Sequence, residues 1–303
     1  MNVLVTGASG YIGSALVPQL LAAGYRVRVI TRDAERLSDK PWRGHVEVLQ
    51  GDLADVACCD AAVVGMNAVL HVAGLAHANA SEREHRQENF INTQQLADAA
   101  QRKDVATFVF VSSCKANYPE HSRYGYYKRA SEDYLLSLTG GMRVICLRPG
   151  IVYWRGMRNN LYSLLRILRR PRLPVFIGAN NIFAMISLKD CCRSLVAALE
   201  NSGLDGRCWE LTDGVPYTMD ALVHAVRNYY ALPQPRWRVP PALLKLLCIS
   251  YLPVGKLLGS SLGLRTYTAL YQENFRPDLA FAHASNTLPT ADFYSWLRDN
   301  SPE

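Results

Sequence analysis

Six short and largely apolar runs punctuate the first half of the chain, and helical patterns separate them. They are Val3-Leu4-Val5, Val27-Arg28-Val29-Ile30, Val46-Glu47-Val48-Leu49, Ala68-Val69-Leu70-His71-Val72, Thr107 to Val111 and Val144 to Leu147. Strands alternating with helices of about 10–15 residues specify βαβ units, right-handed crossovers and a parallel sheet. Their apolar character fits strands covered by helices on both faces. The expected fold class is therefore α/β, a doubly wound parallel sheet. After Pro149 the pattern changes. Leu161, Leu164, Leu165 and Leu168 follow helical spacing with Arg166, Arg169 and Arg170 interleaved, and a turn with Pro171 and Pro174 follows. A helix near Lys189–Glu200 and a strand at Arg207–Leu211 read as returns to the first sheet, and the remainder is mostly helical.

The turn after the first strand reads Thr6-Gly7-Ala8-Ser9-Gly10-Tyr11-Ile12-Gly13. In this position glycine lets the backbone bend tightly and approach a pyrophosphate, while the helix that follows offers unpaired N–H groups and its positive dipole end. The spacing G-x-x-G-x-x-G is a variant of the dinucleotide fingerprint. Gly7, Gly10, Tyr11, Ile12 and Gly13 are thus candidate cofactor contacts in a Rossmann-type domain. The second strand ends at Thr31-Arg32, with Arg32 standing 19 residues beyond Gly13. An acid there would bond the adenosine ribose, whereas Arg32 suits a 2′-phosphate, which favours NADP over NAD; Asp33 leaves NAD open. Asp52, followed by Leu53, is a candidate acceptor for the adenine amino group or, alternatively, a helix N-cap.

Composition narrows the partners. The chain carries 33 basic against 26 acidic residues, a net +7. Six arginines (155, 158, 166, 169, 170 and 172) and no acid fall between Ile151 and Val175. Charge this local points to an anion-binding wall or a solvated helix face rather than to a nucleic-acid protein. The eight cysteines show no zinc spacing and no secreted disulfide framework, so no metal is expected. They read as reduced, buried residues of a cytoplasmic protein, and the chain opens on a strand pattern without a signal peptide. Val239–Leu264 is apolar but broken by Lys245, Pro253 and Lys256, which argues against a transmembrane segment. It reads as a core helix pair or, alternatively, as an amphipathic surface resting on a membrane.

The Thr107–Val111 strand ends at Ser112-Ser113, and Tyr124-Gly125-Tyr126-Tyr127-Lys128 opens a helix further on. Tyr124 and Lys128, four apart, share one helical face. A phenol is a poor base near neutral pH, and a nearby ammonium favours the phenolate. Such a pair can exchange a proton with a carbinol or ketone while hydride moves to or from a nicotinamide. Ser113 would hold the substrate oxygen. Tyr126 and Tyr127 do not lie one turn before the lysine.

With these motifs the chain resembles the extended short-chain dehydrogenase/reductases, the NAD(P)-dependent epimerase/dehydratase group, and most of all bacterial nucleotide-sugar enzymes of surface-polysaccharide pathways. The likeness rests on Gly7, Gly10, Gly13, Asp52, His71-Val72-Ala73-Gly74, Asn89 to Thr93 (an N-x-x-G-T with Asn92 for glycine), Ser113, Tyr124, Lys128 and Arg148-Pro149-x-x-x-Tyr153. It covers residues 1–200 well and the last hundred loosely. It implies that Tyr124, Lys128 and Ser113 are catalytic. It adds Val72, Ala73, Gly74, Asn89, Ser112, Pro149 and Ile151 to the cofactor contacts, although Asn89 has an alternative as an N-cap. Residues 1–150 with 183–212 would form the NAD(P)-binding domain. Residues 151–182 with 213–303 would form a smaller, mostly helical substrate domain, with Lys115, Arg158, Asn160 and Arg166 as candidate substrate contacts. Relatives of this kind pair through a four-helix seam, so a homodimer is the expected assembly.

Three departures stand out. Tyr124 follows Ser113 by only 11 positions, which implies an open site or a larger substrate. Tyr153-Trp154 replaces the family's Tyr-Gly and would narrow the nicotinamide side. Asn181-Ile182-Phe183 stands where relatives place an arginine against a substrate diphosphate. The leading expectation is an NAD(P)-dependent 4-epimerase or 4-ketosugar reductase acting on a nucleotide-activated sugar. A dehydratase is disfavoured, because Cys114-Lys115 stands where those enzymes place Asp-Glu. Two other classes remain: a non-catalytic NADP-binding sensor or assembly protein, and a reductase or dehydrogenase of a lipid-like substrate at a membrane surface.

Overall fold

The computed structural model describes residues 1–76, 80–171, 175–177, 181–239 and 273–299. Residues 240–264 of the apolar stretch, together with Arg172 and Pro174, lie outside the described residues. The chain begins β1 (Asn2–Thr6), α1 (Tyr11–Ala22), β2 (Arg26–Thr31), β3 (Glu47–Gln50), α2 (Val56–Val63) and β4 (Ala68–His71). It continues through α3 (Glu82–Arg86), a single π-turn at Gln87–Ile91, α4 (Asn92–Arg102), β5 (Thr107–Val111), α5 (Arg123–Ser137) and β6 (Arg143–Pro149). Next come β7 (Ile151–Tyr153), α6 (Asn160–Leu168), β8 (Val175–Ile177), β9 (Ile182–Phe183) and β10 (Met185–Ser187). The described elements close with α7 (Leu188–Glu200), β11 (Arg207–Leu211), β12 (Tyr217–Thr218), α8 (Met219–Tyr229), β13 (Trp237–Val239), α9 (Ala280–Ser285) and α10 (Phe293–Asp299).

Two compact units result. The first comprises Met1–Pro149, Leu188–Leu211 and Leu279–Leu288. Its seven strands pair in parallel in the order β11-β6-β5-β4-β1-β2-β3. Strand order reverses between β1 and β4, the switch point at which such sheets open a crevice beyond their carboxyl ends. The apolar runs supply the reason for the sheet, since Val3, Leu4, Val5, Phe108, Val109 and Phe110 are fully buried. Helix α1 turns Ile12, Leu16, Val17 and Leu20 inward and packs beside α7. A second layer sets Leu96, Ala97 and Ala100 of α4 and Leu135 of α5 against Leu4, Val69, Phe108 and Phe110. The sequence reading placed 183–187 with this unit and 279–288 with the other. Instead α9 lies in the first unit, where Phe281 meets the Trp209 ring edge-on at 5.9 Å.

The second unit comprises Gly150–Ser187, Thr212–Asp278 and Pro289–Glu303. Its regular structure is helical as expected, with three two-stranded ladders added: β7 with β10, β9 with β12, and β8 with β13. Tyr153, Leu161, Leu165, Leu168, Tyr217, Leu222, Val226 and Phe293 form its core. Tyr217 donates to Asp213 at 2.6 Å and accepts from the Phe293 N–H at 2.7 Å. Burial pushes the Asp213 carboxyl up to about 6. Trp154 packs partly buried against this core.

Beneath β6, Arg148 grips Glu132 of α5 with Nε at 2.8 Å and Nη2 at 2.6 Å, and Glu132 is fully buried. Removing one partner of such a pair leaves an uncompensated buried charge. Arg148→Met should therefore lower unfolding free energy by about 3–5 kcal/mol in urea titrations. The double change with Glu132→Leu should recover most of that loss.

Candidate active site

The glycine turn closes on itself through Gly10 N–H donating to the Gly7 carbonyl at 3.0 Å. Gly7 has φ +70°, and a Cβ there would lie 2.7 Å from the Ala73 nitrogen, so the turn after β1 presses on the segment after β4. At Gly13 a Cβ would stand 2.3 Å from the Gly7 carbonyl oxygen. Helix α1 starts after Gly10, which makes no side-chain cap, and the first-turn N–H groups of such a helix have no intrahelical acceptor. An anion is the natural partner for that end of the helix.

A buried line of hydrogen bonds holds these loops. Thr6 Oγ1 accepts from the Ala73 N–H at 3.1 Å and lies 2.7 Å from His71 Nδ1; His71 Nε2 lies 2.9 Å from Thr93 Oγ1. The Thr93 hydroxyl donates to the Asn89 carbonyl at 3.2 Å, so His71 Nε2 carries the proton and Nδ1 accepts from Thr6. Burial, then Lys128, pulls the His71 pKa down to about 3, which keeps it neutral. Sequence reasoning gave His71, Thr6 and Thr93 no role; a lone histidine in an otherwise apolar strand was the available signal. Asn89 is not an N-cap. It is buried in the π-turn, where Oδ1 accepts from Leu75 N–H at 2.8 Å and Nδ2 donates to the Leu75 carbonyl at 2.9 Å. His85, also overlooked, is buried beside it, with Nδ1 3.2 Å from Asn89 Nδ2 and its ring 6.5 Å from that of Tyr124.

Ser122 caps α5 by accepting from Gly125 N–H at 3.0 Å, which sets Tyr124 in the first turn and Lys128 one turn later. The short connection from Ser113 is taken up by 3₁₀ turns at Cys114–Asn117 and Pro119–His121. Lys128 is buried, and its Nζ donates to the Val111 carbonyl at 2.8 Å, 4.5 Å from the Phe110 ring centroid and 5.9 Å from that of Tyr124. Desolvation lowers the Lys128 pKa to about 8, against the raising influence of Glu132. The expectation that Lys128 would depress the Tyr124 phenol is not met. Desolvation pushes that phenol up, Tyr11 and Cys114 add to the rise, and only a hydrogen bond with Ser113 pulls it down. Tyr124 is therefore held as a neutral phenol. Ser113 Oγ also accepts from the Lys115 N–H at 3.2 Å, and Lys115 is half-buried in that turn. Tyr126 is exposed, and Tyr127 is buried with its hydroxyl donating to Glu82 at 3.4 Å.

The remaining candidates fall into two sets. Thr31 ends β2, and exposed Arg32 pairs with Glu88 at 2.8 Å. Asp33 is engaged locally, accepting from Glu35 N–H at 3.0 Å. Asp52 does not cap α2. Asp55 does, while Asp52 accepts from Ala54 N–H at 3.0 Å. Leu53 is buried in the core, and Val72, Ala73 and Gly74 follow β4. Pro149 ends β6 in the first unit, whereas Ile151, Arg158, Asn160 and Arg166 belong to the second. Arg158 and Arg166 are exposed, as is Asn160 at the first position of α6, and Arg169 stacks on the Tyr230 ring at 4.6 Å.

Two features test whether a dinucleotide fits the first unit: the uncapped start of α1, and the buried Ser112 Oγ, which has no hydrogen-bond partner at the end of β5. Both fit a polar, anionic ligand lying across the switch point. A doubly wound sheet whose glycine turn sits at the switch point defines the class, the nucleotide-binding α/β proteins. Within that class the chain belongs to the NAD dependent epimerase/dehydratase family, which matches residues 3–211. It is 33% identical over 246 residues to the ceramide reductase of Caulobacter vibrioides, covering 77% of this chain and 74% of that one. It is 27% identical over 285 residues to the UDP-glucose 4-epimerase of Vibrio cholerae, covering 86% and 83%. A UDP-glucuronic acid 4-epimerase variant from Bacillus cereus, solved with NAD and a fluorinated UDP-sugar, shares the fold (TM-score 0.76, 16% identity, 99% and 98% coverage).

Lys128 yields a stability prediction. Its folded pKa is depressed from 10.5 to about 8. The penalty for carrying its charge is then fully present below pH 8 and disappears as pH rises to the unfolded value. Relative to Lys128→Met, the wild type should gain on the order of 3 kcal/mol in unfolding free energy across that window. Parallel pH dependences in urea melts of the two proteins would show that Lys128 is not held so.

Proposed function

We propose that the chain is a nicotinamide-dependent oxidoreductase that exchanges hydride at a carbinol or ketone carbon, acting on a nucleotide-activated sugar as a 4-epimerase or 4-ketosugar reductase. One observation carries the reading: a neutral Tyr124 phenol bonded to Ser113, with buried Lys128 anchored to Val111 at the same strand end. The α1 N-terminus (Tyr11, Ile12, Gly13) would hold the pyrophosphate, with Thr31 and Arg32 at the adenosine ribose and Asp52 and Leu53 at the adenine. Val72 to Gly74, Asn89, Ser112, Pro149 and Ile151 would line the remaining length. When bound, the cofactor supplies or accepts the hydride. Tyr124 Oη gives its proton to the substrate oxygen in the reducing direction and takes one back in the other. Ser113 Oγ orients that oxygen, and the Lys128 ammonium keeps positive charge near the phenol as the proton leaves. Arg32 favours NADP, because its guanidinium can leave Glu88 for a 2′-phosphate.

A second reading, reduction of a ketone on a lipid-like substrate, has its own support. The reductase relative at 33% identity is named for ceramide, and Asn181-Ile182-Phe183 lacks the arginine expected for a diphosphate. A panel of UDP-, GDP- and dTDP-sugars beside a long-chain ketone separates the two readings.

Tyr124→Phe should lower turnover by about 10²–10⁴-fold while dinucleotide affinity stays within a few-fold, measured by steady-state kinetics and calorimetry. Unchanged turnover would sink the assignment. Arg32→Asp should cost roughly 10–100-fold in NADPH affinity and reverse the preference towards NADH. Equal affinity of the wild type for both cofactors would remove the basis for NADP.

A further inference from the structure

The net charge is not shared between the units. The first carries 19 basic and 19 acidic residues, whereas the second carries 14 basic and 7 acidic, so the whole +7 belongs to the second. Its sequence has no acid from Gly150 to Ser187 and none from Ala221 to Gln272. In the first unit arginines are matched locally, as in Arg28 with Glu47, Arg102 with Asp60, Arg143 with Asp205 and Arg148 with Glu132. Arg158, Arg166, Arg170 and Arg236 of the second unit are exposed and meet no carboxylate among the described residues.

These cations gather with apolar side chains. Helix α6 buries Leu161, Leu165 and Leu168 and turns Tyr162 and Arg166 outward at four-residue spacing, with Ile167 alongside and exposed Arg170 two residues past its end. Tyr162 and Ile167 are 39% and 44% exposed, and Trp237 is 69% exposed. The end of α6 is tied to the segment carrying Arg236 and Trp237. Arg227, fully buried, donates to the carbonyls of Leu168 at 2.9 Å, Arg170 at 3.0 Å and Pro233. Beyond it, β13 pairs with β8. One end of the unit therefore presents unpaired guanidinium groups beside exposed tryptophan, tyrosine and isoleucine.

We infer that this end of the second unit docks on the surface of an anionic lipid bilayer. Guanidinium groups meet lipid phosphates, while Trp237, Tyr162 and Ile167 settle at the headgroup level, where amphipathic aromatic rings are favoured. No helix among the described residues is long and apolar enough to cross a membrane. A solvated basic face explains the arginines but gives no reason for three large apolar side chains among them. Nucleic acid is the competing polyanion.

Flotation of the full-length protein tests this. It needs neither cofactor nor turnover, so its result stands apart from the catalytic reading. The protein should float with phosphatidylcholine vesicles containing phosphatidylglycerol, stay behind with phosphatidylcholine alone, and dissociate as salt rises. A basic side chain at such a surface contributes about 1 kcal/mol, roughly fivefold. Arg166→Gln, Arg170→Gln and Arg236→Gln together should thus weaken partitioning roughly a hundredfold, with an unchanged unfolding midpoint as the control for folding. Trp237→Ser should weaken it further and abolish a blue shift in tryptophan emission on the anionic vesicles. Three results would overturn the inference: no flotation at low salt, equal flotation of the triple variant, or tighter capture by a single-stranded oligonucleotide than by the vesicles.

Discussion

The hydrogen-bonded line from Thr6 through His71 to Thr93 is the constraint on which the first unit turns. It joins the carboxyl ends of β1 and β4 at the point where strand order reverses, and it fixes the tautomer of a histidine that burial keeps neutral. A buried polar group left unpaired there would cost about 1–3 kcal/mol, so the two loops that flank the crevice cannot drift apart cheaply. Thr6 also receives the Ala73 N–H, and Gly7 leaves room for that backbone to approach. The crevice is thereby shaped before any ligand enters, which spares binding part of the ordering cost.

Electrostatics on the far side of β4 and β5 follow from the same burial. Lys128 is costly to keep charged in this interior, and its ties to Val111 and the nearby Glu132 offset only part of that cost. Glu132 is itself held by the Arg148 fork, so the ammonium never collapses into a direct pair with it. The positive charge remains available to the neighbouring phenol. Tyr124 meanwhile stays protonated because desolvation outweighs its Ser113 hydrogen bond.

Most of the first unit was legible in the sequence because its signals are local. Apolar runs of β-branched residues, a glycine turn between strand and helix, and a tyrosine four residues before a lysine each depend on neighbours within a turn or two. The errors came from side chains whose role is decided by distant partners. Asp52 and Asp55 both look like caps, and only the helix start tells them apart. Asn89 looks like a cap because its loop partner, Leu75, is 14 residues away. The sign of the Tyr124 shift was misread since sequence shows the lysine and not the depth of burial. The short ladders of the second unit were invisible for a related reason: strands of two or three residues carry no period, and their partners lie far along the chain.

The division of charge between the units is a physical clue that no motif contains. Folding selects for matched charges where side chains are partly desolvated, and the first unit, with its buried forks, obeys that rule. In the second unit Arg158, Arg166, Arg170 and Arg236 meet no carboxylate among the described residues, and such uncompensated charge carries a self-repulsion that an external anion would relieve. A small soluble substrate would need two or three guanidinium groups converging on one point. Arg166 instead lies on the outward side of α6, Arg158 and Arg170 flank that helix and Arg236 stands just before β13, with exposed rings at Tyr162 and Trp237. Cations spread among exposed rings suit an extended anionic plane better than a pocketed phosphate.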